Sequence, residues 1–142
     1  FSKVRLSLVR GRDVWRVTGA EEYFNMYYLT SLDTEKQALI SRIHSLLRRL
    51  LQGEESNEYL FSTLDEVYTT LRTEELSPKT LSGVECIAVL RILYSLGYLK
   101  HDQEFSPFFA DASFTEEVLE HAYKIKRQAI AEINQSLEAS HL

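Results

Sequence analysis

The chain holds one cysteine, two prolines and five glycines in 142 residues. A lone thiol, Cys86, excludes an internal disulfide framework and a cysteine-rich zinc site. With 44% apolar and 26% charged residues, so little Pro and Gly also excludes collagen-like, low-complexity and largely disordered chains. Five scattered glycines build no phosphate-cradling loop. No apolar run approaches the roughly 18–20 residues of a membrane span, and no secretory pattern opens the sequence. The length suits one domain, which at this size buries roughly two-thirds of its extended surface. The first residue is Phe1, in the middle of a strand-like pattern, so a piece of a longer protein is expected.

Catalytic signatures are also scarce. His44, His101, His121 and His141 fall in different segments, and none stands at metal-ligand spacing from another His or from Cys86. Glu116, Glu117, Glu120 and His121 crowd one stretch, but they lack the Glu-x-x-His spacing of a bundle di-metal site. Acidic residues in a first helical turn complement the helix dipole, which accounts for them. Cys86 lies in the most apolar segment, where a thiol behaves as a small hydrophobe. The expectation is a binding protein and not an enzyme, with no metal and no cofactor.

What is present begins with uneven charge. The net charge of −5 divides into +4 over residues 1–16 and −9 over residues 17–142. Lys3, Arg5, Arg10, Arg12 and Arg16 supply the positive end, with Trp15 among them. Basic residues beside an aromatic suit phosphate neutralisation and base stacking. The plain alternative is a solvated hairpin whose outward residues happen to be Lys and Arg.

Two kinds of periodicity follow one another. Residues 3–18 alternate like strands, with Val4, Leu6 and Leu8 on one face and a turn at Arg10-Gly11-Arg12-Asp13. After Gly19 the pattern is helical to the end. A short aromatic-rich helix is expected over Glu21–Leu29. A second follows an Asp33 cap and runs to Gly53, and a third begins after Ser56 or Asn57 with Leu60, Phe61, Leu64, Val67, Tyr68 and Leu71 on its apolar face. The fourth, Leu81–Leu96, is apolar nearly all round and should be the buried centre, stopped by Gly97. Ser113-Phe114-Thr115-Glu116 reads as a capping box opening one last long helix towards residue 140. The fold class expected is mainly α: about five helices in a bundle preceded by a short β-hairpin, divided into residues 1–19 and 20–142.

Arg91 interrupts the aliphatic fourth helix with a permanent cation. It either snorkels or pairs with a carboxylate such as Glu85, or it forms the charged lip of a groove that receives an acidic, hydrophobic peptide end. Arg48 and Arg49 on the second helix are the other candidates for that role.

Four stretches, in order and spacing, resemble one family. They are Leu8-Val9-Arg10-Gly11-Arg12-Asp13-Val14-Trp15-Arg16-Val17-Thr18-Gly19-Ala20-Glu21; then Leu46-Leu47-Arg48-Arg49-Leu50-Leu51-Gln52-Gly53-Glu54-Glu55 with Leu60-Phe61 soon after; then Leu90-Arg91-Ile92-Leu93-Tyr94-Ser95-Leu96-Gly97-Tyr98; and last Ile133-Asn134-Gln135-Ser136-Leu137. Together they are similar to the RecO family of bacterial recombination mediators, over nearly the whole chain. The resemblance implies an N-terminal oligonucleotide-binding barrel, of which residues 1–18 would be the last hairpin, followed by a helical domain. It implies binding of single- and double-stranded DNA mainly through the barrel, with RecR and the acidic tail of single-stranded DNA-binding protein as partners. It also implies a bacterial cytoplasmic protein at the nucleoid, with a role in recombinase loading and strand annealing during repair.

The chain departs from the family pattern in two ways. Many members carry a Cys-rich zinc element after the Leu-Gly-Tyr stretch, where this chain has His101-Asp102-Gln103-Glu104-Phe105-Ser106-Pro107 and no Cys. No zinc is therefore expected, with Phe105, Phe108 and Phe109 packing in its place. The acidic body argues against broad DNA binding by the helices. A hairpin cut from its barrel would expose strand edges and apolar side chains, so self-association through it is a further expectation. The alternative to a mediator is a helical adaptor with no nucleic-acid role.

Overall fold

The computed structural model describes residues 2–30, 33–51, 53, 56–73, 75–99 and 103–139. Of the residues singled out above, Phe1, Gln52, Glu54, Glu55, His101, Asp102 and His141 lie outside them. Two antiparallel strands, β1 (Ser2–Arg10) and β2 (Trp15–Asn25), form a two-stranded ribbon. Seven helices follow among the described residues: α1 (Met26–Leu29), α2 (Thr34–Leu50), α3 (Glu58–Thr73), α4 (Pro78–Ser95), α5 (Ser106–Phe109), α6 (Glu116–Lys124) and α7 (Lys126–Ala139). The chain is thus mainly helical, with a hairpin in front, as its periodicity predicts.

Side-chain caps set the helix starts. Asp33 accepts from the Lys36 N–H at 3.0 Å, Asn57 from Leu60 at 2.8 Å and Ser77 from Thr80 at 3.1 Å. Asn57 also donates to the Ser95 carbonyl, tying the start of α3 to the end of α4. Gly97, at φ +77, closes α4: its N–H donates to the Tyr94 carbonyl at 3.1 Å, and the Tyr98 N–H to Leu93 at 2.9 Å. That pair of bonds satisfies two orphan carbonyls and requires the left-handed backbone that glycine adopts freely.

Helix α4 is the hub, packing against α2, α3, α5, α6 and α7. Val84, Ile87, Ala88, Leu90, Ile92 and Leu93 are all fully buried along it. The surrounding helices turn Leu39, Ile40, Ile43 and Leu47 of α2, and Val67 and Leu71 of α3, towards this core. Phe105 and Phe108 are buried, and Phe109 stacks on Tyr94 with ring centroids 4.1 Å apart. The three rings therefore close the connection between α4 and α6, the packing expected for them.

Four expectations need correction. Residues 21–25 continue β2 and are not helical: Glu21, Glu22, Phe24 and Asn25 pair with Arg5, Val4, Lys3 and Ser2. Aromatics form strands as readily as helices, and the β1 ladder decides the matter. The ribbon therefore reaches Asn25, beyond the boundary expected at residue 19, and Asn25 caps the short α1. The last helix is divided at Ile125, and both halves pack on α4. Its cap is Thr115, which accepts from Val118, in place of the Ser113–Glu116 box. Phe61 leaves the apolar face of α3 and is 61% exposed, turned towards the ribbon.

Candidate nucleic-acid interface

The ribbon is amphipathic, and its register decides how. Val4, Leu6 and Leu8 share one face with Glu22, Ala20 and Val17. Lys3, Arg5, Ser7 and Val9 share the other with Phe24, Glu21, Gly19 and Arg16. The register slips between Ser7 and Leu8, where Thr18 donates its hydroxyl to the Ser7 carbonyl at 3.1 Å. Such a bulge strengthens the twist of the ribbon. At the turn, the Gly11 N–H donates to the Val14 carbonyl at 2.9 Å, and a Cβ on Gly11 would approach that oxygen to 3.0 Å. A side chain there would crowd the turn that holds the basic tip.

Four of the six residues expected to bind nucleic acid gather near this tip. Arg10 and Trp15 are cross-strand partners, and the Arg10 guanidinium lies 5.6 Å from the Trp15 ring centroid. Arg12 is exposed within the turn, and Arg16 stands opposite Val9 on the basic face. Trp15 is 48% exposed, so an aromatic surface and cations meet solvent together. This combination suits a single strand, whose phosphates need cations and whose bases stack on rings.

The remaining two sit at the root of the ribbon, in different states. Lys3 is held by Asp65 of α3 and anchors the ribbon to the bundle. Its charge is neutralised, so it is a weaker phosphate ligand than the sequence suggests. Arg5 lies 3.8 Å from Glu21 and 5.3 Å from the Tyr23 ring centroid. Both members of that ion pair are well exposed, a setting in which such pairs contribute little.

Arg91 requires a larger correction, because its side chain is turned inward and is 1% exposed. Nε donates to the Phe108 carbonyl at 2.6 Å, Nη1 to Ala112 at 2.6 Å and Nη2 to Ser113 at 2.9 Å. The guanidinium carbon lies 4.8 Å from the Phe114 ring centroid. Glu85, its suggested partner, instead takes a bidentate pair from Arg42, with Nη2 to Oε2 at 2.7 Å. Burial lowers the Arg91 pKa, but a guanidinium stays protonated. Asp111 supports the same loop: it accepts from the Ser113 N–H at 2.7 Å and the Ser113 hydroxyl at 2.5 Å. Those bonds hold its carboxyl below the usual range. Arg91 thus ties the loop after α5 to the central helix, and it offers no charged lip to a peptide. Arg48 and Arg49 are exposed in the last turn of α2, where they also complement the helix dipole.

Among the described residues no three His, Cys, Asp or Glu side chains group to hold a metal. His121 faces Phe108 across 5.2 Å, while Glu116, Glu117 and Glu120 are exposed. His44 is bound at both ring nitrogens, to the Ile40 carbonyl at 2.9 Å and the Tyr68 hydroxyl at 2.8 Å. Burial raises the Cys86 pKa, which disfavours the thiolate. No helix among the described residues is long and apolar enough to cross a membrane.

The sequence reading missed the far side of the ribbon's root. Tyr23, Phe24, Phe61 and Arg72 join Lys3, Val4 and Arg5 around a cleft of about 670 Å³. The one hint of it in the sequence is the aromatic density at residues 23–28, where a helix is expected. Comparisons with protein-family models, curated proteins and solved structures return no match to this chain.

Proposed function

We propose that this chain is a non-catalytic mediator of DNA repair and recombination of the RecO kind. In this reading it helps remodel single-stranded DNA-binding protein for recombinase loading and strand annealing. The observation that supports the reading best is the exposed ribbon tip, where Arg10 lies against Trp15, Arg12 is exposed in the turn and Arg16 stands on the opposite face. Three arginines present planar donor forks for phosphate, and the indole supplies a stacking surface. The acidic remainder of the chain discourages wrapping of DNA around the bundle, so the strand engages the ribbon. RecR, and double-stranded DNA held by a preceding barrel, belong to the same proposal, as does a nucleoid location in a bacterial cytoplasm. The acidic tail of single-stranded DNA-binding protein would meet Arg48 and Arg49, now without Arg91. No zinc enters this mechanism.

A second reading, the adaptor with no nucleic-acid role, is favoured by the opposite ribbon face. Val4, Leu6 and Leu8 are each more than 40% exposed, as an apolar face awaiting a protein surface would be.

Titration of a labelled single strand against the parent chain and against R10A/R12A/R16A separates the two readings. The mediator reading expects tight binding by the parent. Loss of three phosphate contacts should make its logarithmic salt slope shallower by about two, at roughly 0.7 per contact on single strands. Equal affinity and equal slope for both proteins would remove the tip from the interface and favour the adaptor.

A further inference from the structure

We propose that the cleft at the root of the ribbon is a second nucleic-acid subsite, which takes one base and its phosphate from a strand that also engages the tip. The inference rests on the single-strand reading of the ribbon and extends it to residues on α3. Three rings and three cations converge there in alternation. Lys3 Nζ lies 5.6 Å from the Phe61 centroid, the Arg5 guanidinium 5.3 Å from Tyr23, and that of Arg72 4.8 Å from Phe24. The cleft is open to solvent, and its volume of about 670 Å³ falls within the range of small-ligand sites.

The chemistry of the lining selects the occupant. Phe61 and Tyr23 are 61% and 47% exposed, large open ring surfaces beside charge. A peptide that is only acidic would satisfy the cations but leave those ring faces bare. A nucleotide satisfies both, with its base against a ring and its phosphate on a guanidinium. Lys3 is already committed to Asp65, so the cationic work falls to Arg72 and Arg5. Arg72 has no carboxylate partner among the described residues, and the loose Arg5–Glu21 pair exchanges readily for phosphate.

Geometry also sets a length threshold. From Lys3 to Arg10 the strand covers roughly 23 Å at about 3.3 Å per residue. Stacked nucleotides at 3.4 Å each need about seven to cover that distance. Shorter strands reach the tip or the root, and longer ones reach both. Arg5 and Arg16 line one face of the ribbon while Arg10 and Trp15 stand on the other, so a strand held at both places crosses the ribbon edge near the tip.

The test uses the whole chain, labelled oligothymidylates shorter and longer than that threshold, and two signals read together. Anisotropy reports total binding, and fluorescence of the single tryptophan, Trp15, reports the tip. The variants are Phe61→Ser and Arg72→Gln, both at exposed positions, with unchanged thermal melting as the check on folding. The proposal expects each to weaken long-strand binding about tenfold while saturating Trp15 quenching persists and tip binding of short strands is unchanged. Parental affinity of both variants for long strands, with Trp15 still quenched, overturns the root site and leaves the tip reading standing. Failure of the parent chain to bind any strand overturns both.

Discussion

Removing Arg91 should loosen the loop after α5 and destabilise the whole chain. Its three donors reach three carbonyls of residues 108, 112 and 113, and the side chain is 1% exposed. Hydrogen bonds from a charged group contribute roughly 1.5–3 kcal/mol each. Against them stands the cost of burying a cation, several kcal/mol, which the substitution relieves. Three such bonds less several kcal/mol of desolvation leave a net loss of about 4 kcal/mol for Arg91→Met. For a chain of this size that lowers Tm by about 8–16 °C. Arg91→Lys keeps the charge but lacks the planar fork that spans three acceptors, so it should fall between parent and Met. Urea unfolding of the three proteins measures the difference. If Arg91→Met stays within about 1 kcal/mol of the parent, the loop does not depend on these bonds and the structural role assigned to Arg91 is wrong.

Two further outcomes follow from local chemistry. Gly97→Ala forces a Cβ into the left-handed backbone at φ +77 and should cost about 1–2 kcal/mol in urea unfolding, with no change in DNA binding. Burial pushes the Tyr68 hydroxyl up to about 12. The neutral phenol is favoured in the folded chain, so stability present below the ordinary value near 10 should be lost as the pH rises towards about 12. Phenolate absorbance in Tyr68→Phe, compared with the parent, identifies this late titration, and loss of the late component is the expected result.

Much of the fold was legible because its signals are local. Asp33 and Gly97 mark helix ends through bonds to neighbours a few residues away, and the aliphatic continuity of α4 marks the core, although α4 starts at Pro78 behind a Ser77 cap and not at the expected Leu81. The failures have long-range causes. Residues 21–25 suit either strand or helix by composition, and pairing with β1 settles them. Arg91 stood out as anomalous, but its acceptors belong to a loop 17–22 residues further along the chain. No Pro or Gly announces the division at Ile125. The basic tip was visible as charge near Trp15, whereas the root cleft was not. It exists only because α3 brings Phe61 and Arg72 against the base of the ribbon.

The ribbon as a grip on single-stranded nucleic acid is tested most directly by the salt dependence of parental binding to an oligothymidylate, followed through Trp15 quenching. Four phosphate contacts by Arg5, Arg10, Arg12 and Arg16 predict a slope of log Kobs against log salt of about −3. Binding without salt dependence, or no quenching of Trp15 at any strand concentration, would contradict it.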